Sequence, residues 1–395
     1  MQTSAGRTAA APSLLTLDRL GTVIALLLIL ALVIQPFALV RPNRVAATAP
    51  VYILSALPLL PSFALSGLIL VSSVVMANRS SLKLRLAVLL VTIIMAGLGI
   101  GLSATFLTPA GNNYARISPG AGFWLMLFAL ALAIGDTLVR MQLKPLLRLA
   151  ALGVFVLLLT AFLFSGVWSD ISILKEFASR RDAFTGALST HAFLSVGSLF
   201  AALVIATPIG ILIHNFGRLR DPVISFFNVI QTIPSMALFG VLIAPLAWIG
   251  THLPGAAKLG IAGIGPAPAL IALIAYALLP IVSATVTGLD NVAQSVVDAA
   301  RGVGMTRRQR LLSVELPLAF PVILTGIRVV LVQNIGLAVI AGLVGGGGLG
   351  TFVFQGIAQT ATDLVLLGAL PTVAMAFIAA ILLDAIIEIS RGQRN

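Results

Sequence analysis

The segment 290–317 reads DNVAQSVVDAARGVGMTRRQRLLSVELP and is the most informative stretch of this chain. It is polar, and long apolar runs lie on both sides of it. Asp290 is a favourable N-cap residue, so we expect a helix to begin there. Gly302 and Gly304 should end that helix, because glycine takes positive φ at little steric cost.

A second helix is predicted within the same segment. Thr306 is followed three residues later by Gln309, which is the spacing of a capping box. Pro317 is expected to end this helix, because proline lacks the N–H that a helix interior requires. The segment is therefore predicted to form a helix–turn–helix.

The composition indicates a membrane protein. The 395 residues are 59% hydrophobic and only 9% charged, whereas soluble domains carry roughly a quarter charged residues. The chain has no cysteine, which excludes disulfides, thiolate catalysis and cysteine metal sites. Its net charge is +12, but the cations lie in short loops between apolar runs, so membrane topology explains them better than a nucleic-acid partner does.

Ten apolar runs are long enough to cross a bilayer, for which a helix needs roughly 20 residues. We therefore predict an all-α, polytopic membrane helix bundle of about ten transmembrane helices. The runs are 20–40, 51–77, 86–107, 121–139, 149–168, 191–214, 222–248, 261–289, 320–343 and 364–389.

Lys and Arg collect on the cytoplasmic side of short loops. A cytoplasmic N-terminus places sixteen of the 24 Lys and Arg residues inside, together with the C-terminus and the segment 290–317. The polar stretch 169–190 then lies outside as an extracytoplasmic connector. It separates an N-terminal five-span extension, 1–168, from a five-span core, 191–395. An inverted repeat of secondary transporters is disfavoured, because no motif is shared by the halves.

The 290–317 segment resembles the "EAA" loop of ATP-binding-cassette (ABC) importer permeases. That signature is an acidic residue, two alanines, a glycine four residues later, and an I-x-L-P ending. The chain matches it with Asp298 in place of Glu, Val314 in place of Ile, and the residues Ala299, Ala300, Gly304, Leu316 and Pro317.

The resemblance implies the five-helix core of a type I ABC importer permease. It also implies that the loop couples to a cytoplasmic ATPase. The residues that would carry the coupling are Asp298, Ala299, Ala300, Gly304, Arg307, Leu316 and Pro317. The alternative is an ordinary amphipathic loop whose cations face anionic lipid.

Partners follow from the same resemblance. They are two ABC ATPase subunits, a second permease subunit (homologous or identical) and an extracytoplasmic solute-binding protein, with membrane lipid around the spans. The chain itself would hold no cofactor and no catalytic site, since the partner ATPase uses the ATP and Mg. The expected location is the bacterial inner membrane.

Further strings are similar to the glycine betaine, choline and related osmoprotectant permeases. They are IQTIPSMAL at 230–238 and AYALLPIV at 275–282. This likeness covers roughly residues 185–390, and the overall size resembles the longer permease of a bacterial osmoprotectant-uptake system. It implies a small zwitterionic or quaternary ammonium solute.

The glycine run 345–350 does not have the sequence of a phosphate-binding loop, because Thr351 follows it where a lysine would be required. It is interpreted either as a tight re-entry or loop near the outer gate, or as a flexible connector.

Polar residues retained within apolar runs usually face a bundle interior. They could line the solute pathway, or could serve as interhelical hydrogen bonds worth about 0.6 kcal/mol each. The candidates are Asn228, Gln231, Thr232, Tyr276, Gln333 and Asn334. Asp136, Asp384 and Glu388 lie near cytoplasmic ends, where a structural role beside a basic neighbour is expected.

Two other functions agree less well with the sequence. An ion-coupled secondary transporter of small zwitterionic solutes would require buried acids at mid-membrane, and the sequence offers none that is convincing. A membrane-embedded enzyme would require clustered His, Asp or Glu, whereas the three histidines and twelve acids are scattered.

Overall fold

The computed structural model describes residues 17–43, 46–109, 111–112 and 114–392. The chain folds into two compact units. The N-terminal unit is Met1–Leu143 with Val156–Lys175, and the C-terminal unit is Lys144–Phe155 with Glu176–Asn395. The two chain termini, predicted to be cytoplasmic, lie outside the described residues.

The described residues form helices in all ten predicted apolar runs. Nine helices are long and apolar enough to cross a membrane, and the first run holds a shorter apolar helix of 15 residues. The predicted all-α membrane bundle is thereby confirmed. Up to the end of the fifth run the elements are α1 Arg19–Val33, β1 Ala38–Arg41, β2 Ala49–Val51, α2 Ile53–Ala56, α3 Leu59–Ala77, α4 Leu82–Leu107, β3 Arg116–Pro119, α5 Ala121–Arg140 and α6 Pro145–Phe164.

The remaining elements begin inside the stretch that was predicted to be a connector, 169–190. They are α7 Ser172–Ser179, α8 Arg181–Asn215, α9 Arg220–Thr232, α10 Ser235–Val241, α11 Ile243–His252, α12 Pro266–Asp290, α13 Gln294–Gly302, α14 Arg307–Arg310, α15 Leu316–Leu337, α16 Gly350–Ala358 and α17 Thr362–Gly392. A π-helical turn at Leu311–Glu315 joins α14 to α15, and a 3₁₀ segment, Ala338–Val344, follows α15.

The first predicted run, 20–40, is not helical throughout, because its end belongs to a small antiparallel sheet in the N-terminal unit. Helix α1 ends at Val33, and the run's last residues belong to β1. Pro36 explains the early end, because the residue before a proline is disfavoured in the α conformation. The strand order is β2-β1-β3, with Leu39 opposite Pro50 on one side and Ser118 on the other.

The core of the C-terminal unit is built around α12. Gly210 of α8 lies so close to α12 that an added Cβ would come within 2.6 Å of Thr285, and at Gly326 of α15 it would come within 2.4 Å of Ala284. Small residues at these crossings let the backbones approach, as is usual in membrane bundles. The shared core includes Ala202, Ala206, Ala277, Ile281, Val282 and Val330.

The seventh predicted run, 222–248, is not one helix. It is divided into α9, α10 and α11, with the main break at Pro234. Ile233 is extended, with ψ 126°, because the ring of Pro234 disfavours an α conformation there. The helical stretch long enough to cross a membrane is 235–252, so the polar candidates of α9 lie before it.

Candidate coupling segment and polar pathway

Asp290 is not an N-cap, contrary to the prediction. It is the last residue of α12, and the cap position of α13 is Ala293, which forms no side-chain cap bond. The Asp290 carboxylate instead lies 2.7 Å from His214 Nδ1 and accepts a hydrogen bond from Arg220 at 2.9 Å. These partners on α8 and α9 occupy the oxygens that a cap would need.

The turn after α13 is a Schellman motif, and it depends on Gly304. The Met305 amide donates to the Ala300 carbonyl at 3.1 Å, and the Gly304 amide donates to Arg301 at 2.9 Å. Gly304 has φ +84°, in the left-handed region that this motif requires. The predicted positive φ of Gly304 is confirmed.

The predicted capping box is also confirmed. The Gln309 amide donates to Thr306 Oγ1 at 3.3 Å, and the Thr306 amide donates to Gln309 Oε1 at 2.9 Å. Two orphan amides at the start of α14 are thereby satisfied.

Pro317, however, does not end this helix. It lies in the first turn of α15, and the chain stays helical from Arg307 to Leu337. A proline clashes with the carbonyl four residues earlier in a regular α-helix. Here the π-turn Leu311–Glu315 ends two residues before Pro317, with the Leu316 amide bonded to the Leu311 carbonyl. A wider turn at this point relieves the clash, so the helix continues.

The segment 290–317 presents a largely exposed surface. Asp298 is exposed and accepts hydrogen bonds from Gln294 at 3.0 Å and Arg301 at 3.2 Å. Val297 and Ala300 are buried, and α13 packs against α14 and the π-turn that follows it. Of the other predicted coupling residues, Leu316 is half-buried, and the exposed ones are Ala299, Gly304, Arg307 and Pro317.

Two of the pathway candidates join the break at Pro234 to α12. Gln231 Nε2 donates to the Tyr276 carbonyl at 3.0 Å, and Tyr276 Oη donates to the Ile233 carbonyl. Thr232 bonds within its own helix to Val229. Asn228 is exposed on the same helix.

Asn334 belongs to a second polar group, in which sequence reasoning missed the other members. Asn334 is fully buried and donates to Ser198 Oγ at 2.8 Å, while half-buried Gln333 stands beside it. His191, also fully buried, lies with Nε2 3.0 Å from the Ile335 carbonyl oxygen. A carbonyl only accepts, so Nε2 donates the proton in this bond, and Nδ1 has no hydrogen-bond partner among the described residues.

A sequence signal for this group did exist. His191, Ser195 and Ser198 recur at four- and three-residue spacing, which places them on one face of α8. We expected polar residues of the seventh, eighth and ninth runs to line the pathway, and none of those candidates lies in the sixth run.

The glycine run 345–350 forms a packed turn rather than an open connector. Gly345, Gly347 and Gly348 all have φ between +75° and +78°. An added Cβ on Gly348 would lie 3.3 Å from His191 Nδ1, and one on Gly350 would lie 1.8 Å from the Val339 carbonyl oxygen. The backbone therefore passes directly over the buried histidine.

The acids near the predicted cytoplasmic ends have basic neighbours, as expected. Arg148 on α6 lies 2.9 Å from Glu388 and 3.5 Å from Asp384, and Arg328 also pairs with Asp384. In the N-terminal unit, Asp136 pairs with Arg140 at 2.9 Å.

Comparison with known families divides the chain into two regions. Residues 18–174 match the family described as "ABC transporter permease YehY, N-terminal domain". Residues 206–391 match the "Binding-protein-dependent transport system inner membrane component" family.

Individual relatives match the second region. The osmoprotectant import permease protein OsmW of Salmonella typhimurium is 41% identical over 194 residues, which are 49% of this chain and 83% of that protein. The glycine betaine/carnitine/choline transport system permease protein OpuCD of Bacillus subtilis is 40% identical over 191 residues, 48% of this chain and 76% of that protein. Among solved structures, the methionine ABC transporter MetNI in an inward-facing conformation aligns with TM-score 0.47 and 22% identity, over 54% of this chain and 98% of that chain.

The EAA-type segment, the helical core around α12 and the extent of the matches to the permease family and to OsmW and OpuCD agree with one another. The chain belongs to the inner-membrane permease family of binding-protein-dependent ABC importers, within its osmoprotectant group.

Proposed function

We propose that this chain moves a glycine betaine-, carnitine- or choline-like osmoprotectant across the bacterial inner membrane, driven by a partner ATPase. The similarity to permeases named for those solutes supports the substrate class. Both termini are placed in the cytoplasm on the charge distribution of the loops. The partners are two ATPases, a second permease subunit and an extracytoplasmic solute receptor.

The observation that carries the proposal is the architecture of segment 290–317. It is exposed, yet both of its turns are built from specific hydrogen bonds, at Gly304 and at Thr306. It leads directly into α15, which packs on α12 in the core. A displacement of this segment by an ATPase would therefore be passed to the core helices as a rigid movement. Asp298, Ala299 and Arg307 supply its exposed contact surface.

The solute route is assigned to the polar residues near α12 and α15. Gln231, Tyr276 and Asn334 present neutral hydrogen-bonding groups, which suit the members of this class that have no net charge, glycine betaine and carnitine. Their bonds to one another and to Ser198 also fit the structural alternative, in which they join helices. Asn228, Thr232 and Gln333 remain candidates beside them. The chain is proposed to hold no cofactor, because ATP and Mg bind to the partner.

Two substitutions test the coupling role, Asp298→Ala and Gly304→Val. Each should abolish ATP-dependent uptake of radiolabelled glycine betaine in right-side-out vesicles that contain the partner proteins. The amount of inserted permease, measured by immunoblot, should be unchanged. Arg308→Ala, on the same exposed segment, is the matched control and should retain most of the uptake. Undiminished uptake in both test variants would refute the coupling role.

A second measurement separates this function from an ion-coupled carrier. An ATPase partner that binds but cannot hydrolyse ATP should stop uptake by an importer of this kind. An ionophore should leave that uptake largely intact while ATP is supplied. The reverse pattern would identify a secondary transporter.

A further inference from the structure

The N-terminal unit contains a cleft to which neither the family match nor the proposed transport function assigns a role. Its volume is about 540 Å³. The cleft is lined by Asp18, Leu82 and four arginines, which are Arg19, Arg79, Arg85 and Arg140.

The carboxylates around the cleft are already neutralised. Asp18 accepts hydrogen bonds from Arg85 at 3.0 Å and Arg140 at 2.7 Å, and Asp136 pairs with Arg140 at 2.9 Å. Burial raises the pKa of Asp18, but the hydrogen bonds from Arg140, the Gly21 amide and Arg85 outweigh it and lower the pKa to about 2. Asp18 is thus ionised at neutral pH and is matched by its two arginines.

Arg19 and Arg79 are left without a counter-charge. Both are exposed, and neither forms an ion pair with any residue in the described ranges. Four guanidinium groups thus meet only two carboxylates, Asp18 and Asp136. The cleft carries a local excess of positive charge.

Two helix N-termini lie at the cleft. Arg19 begins α1 and Leu82 begins α4, and both residues line the cleft. Neither helix has an acidic residue in its first turn, but the Asp18 carboxylate is the N-cap of α1 and Ser81 is the N-cap of α4, so α4 is the terminus without an adjacent acid. Free amides and the positive end of the helix dipole make such termini favourable for anions.

Arg85 gives an independent indication of a missing acceptor. Its side chain is 2% exposed, and Nη1 has no hydrogen-bond partner among the described residues. The Asp136 carboxylate is 3.9 Å from Nη1, beyond hydrogen-bonding distance, and its Oδ2 likewise has no hydrogen-bond partner among the described residues. A buried guanidinium with an unused donor is costly unless an acceptor is supplied.

We propose that this cleft binds a phosphate group. The group is either the headgroup phosphate of an anionic phospholipid or a soluble phosphate anion. Guanidinium groups and helix amides donate to tetrahedral phosphate oxygens from several directions at once. Basic pockets between membrane helices are known to hold anionic headgroups in this manner. Arg19 and Arg79 would be the side chains that the ligand neutralises.

The test uses the purified full chain in detergent and the double variant Arg19→Gln/Arg79→Gln. Native mass spectrometry would measure the apparent Kd for phosphatidylglycerol against phosphatidylcholine. Titration calorimetry with inorganic phosphate, against chloride at equal ionic strength, would measure the soluble source. Lys83→Gln/Lys144→Gln is the matched control, because both lysines are exposed, lie near the cleft in sequence and do not line it.

We expect the arginine variant to weaken binding about thirtyfold, since each basic residue at such a site contributes about 1 kcal/mol. The lysine control should stay within about twofold of the wild-type protein. If the arginine variant loses binding of phosphatidylglycerol alone, the ligand is the lipid. If it loses binding of inorganic phosphate alone, the ligand is the soluble anion. The proposal is overturned if the wild-type protein binds neither ligand, or if the two variants behave alike. The single variant Arg79→Gln, expected to weaken binding about fivefold, applies the same criterion should the double variant prove unstable.

Discussion

Gly304 and Gly302 lie two residues apart and have opposite conformational requirements. Gly302 is the last residue of α13, whereas Gly304 follows the helix with φ +84°. Neither position is crowded, because an added Cβ would meet nothing within 4 Å at either one. Any difference between their alanine variants therefore reports backbone conformation alone.

Gly304→Ala should destabilise the turn by about 1–2 kcal/mol, the cost of left-handed backbone for a residue with a Cβ. Gly302→Ala should be neutral or stabilising by up to about 1 kcal/mol, because alanine is the better helix former. Hydrogen–deuterium exchange of a peptide covering 299–306 would measure this. Exchange should be about 5 to 30 times faster in Gly304→Ala. Equal exchange in the two variants would show that the positive φ is not required.

At the scale of elements, Asp18 joins three helices of the N-terminal unit. It caps α1 through the Gly21 amide and accepts hydrogen bonds from Arg85 of α4 and Arg140 of α5. Only the ionised carboxylate can accept from all of these donors. The packing of α1 should therefore depend on the ionisation of one side chain.

Lowering the pH below 4 should loosen the packing of α1. Asp18 has a pKa of about 2 in the folded chain and an ordinary value of 3.8. Because the folded pKa is depressed, its stabilisation is complete above pH 4 and is lost as the pH falls towards 2. Hydrogen exchange of α1 peptides, corrected for the intrinsic rate at each pH, should show decreasing protection over this range.

Asp18→Asn provides the control for that experiment. The variant should have lower α1 protection already at pH 6 and should lose little more between pH 4 and pH 2. If wild-type and variant protein lose protection in parallel, another carboxyl group is responsible.

At the scale of the whole molecule, α6 is shared between the two compact units. Residues up to Phe155 belong to the C-terminal unit, and residues from Val156 belong to the N-terminal unit. Within the C-terminal unit, Arg148 pairs with Glu388 and Asp384, and Phe155 makes an edge contact with Phe377 of α17. A cut between the family-matched regions would therefore remove part of the C-terminal unit.

Two truncated chains test this division. Residues 144–395 should fold more stably than residues 176–395, because only the longer one keeps the contacts of α6 with α17. We expect a melting temperature at least about 3 °C higher, since 1 kcal/mol shifts a domain of this size by about 2–4 °C. Fluorescence-detected melting in detergent would measure it. Identical melting would show that the first part of α6 contributes nothing to the unit.

Local signals explain what could be predicted for the coupling segment and the helices. Apolar runs require helices in lipid, because only intrahelical bonds satisfy the backbone there. The capping box at Thr306 and the turn at Gly304 depend on atoms within six residues of each other, so their spacing is visible in the chain. The EAA-type pattern is equally local.

The sequence by itself therefore determined the membrane bundle, the two turns of segment 290–317 and the family resemblance. The tertiary structure alone decided the partner of Asp290, the burial of His191 beside Gly348, and the union of Asp18 with Arg85 and Arg140. Those last pairs are 67 and 122 residues apart. No periodicity connects such positions, because their contact results from helix packing and not from the rise of one helix. The continuous helix through Pro317 was not predicted either, because residue spacing gives no sign of the π-turn before it.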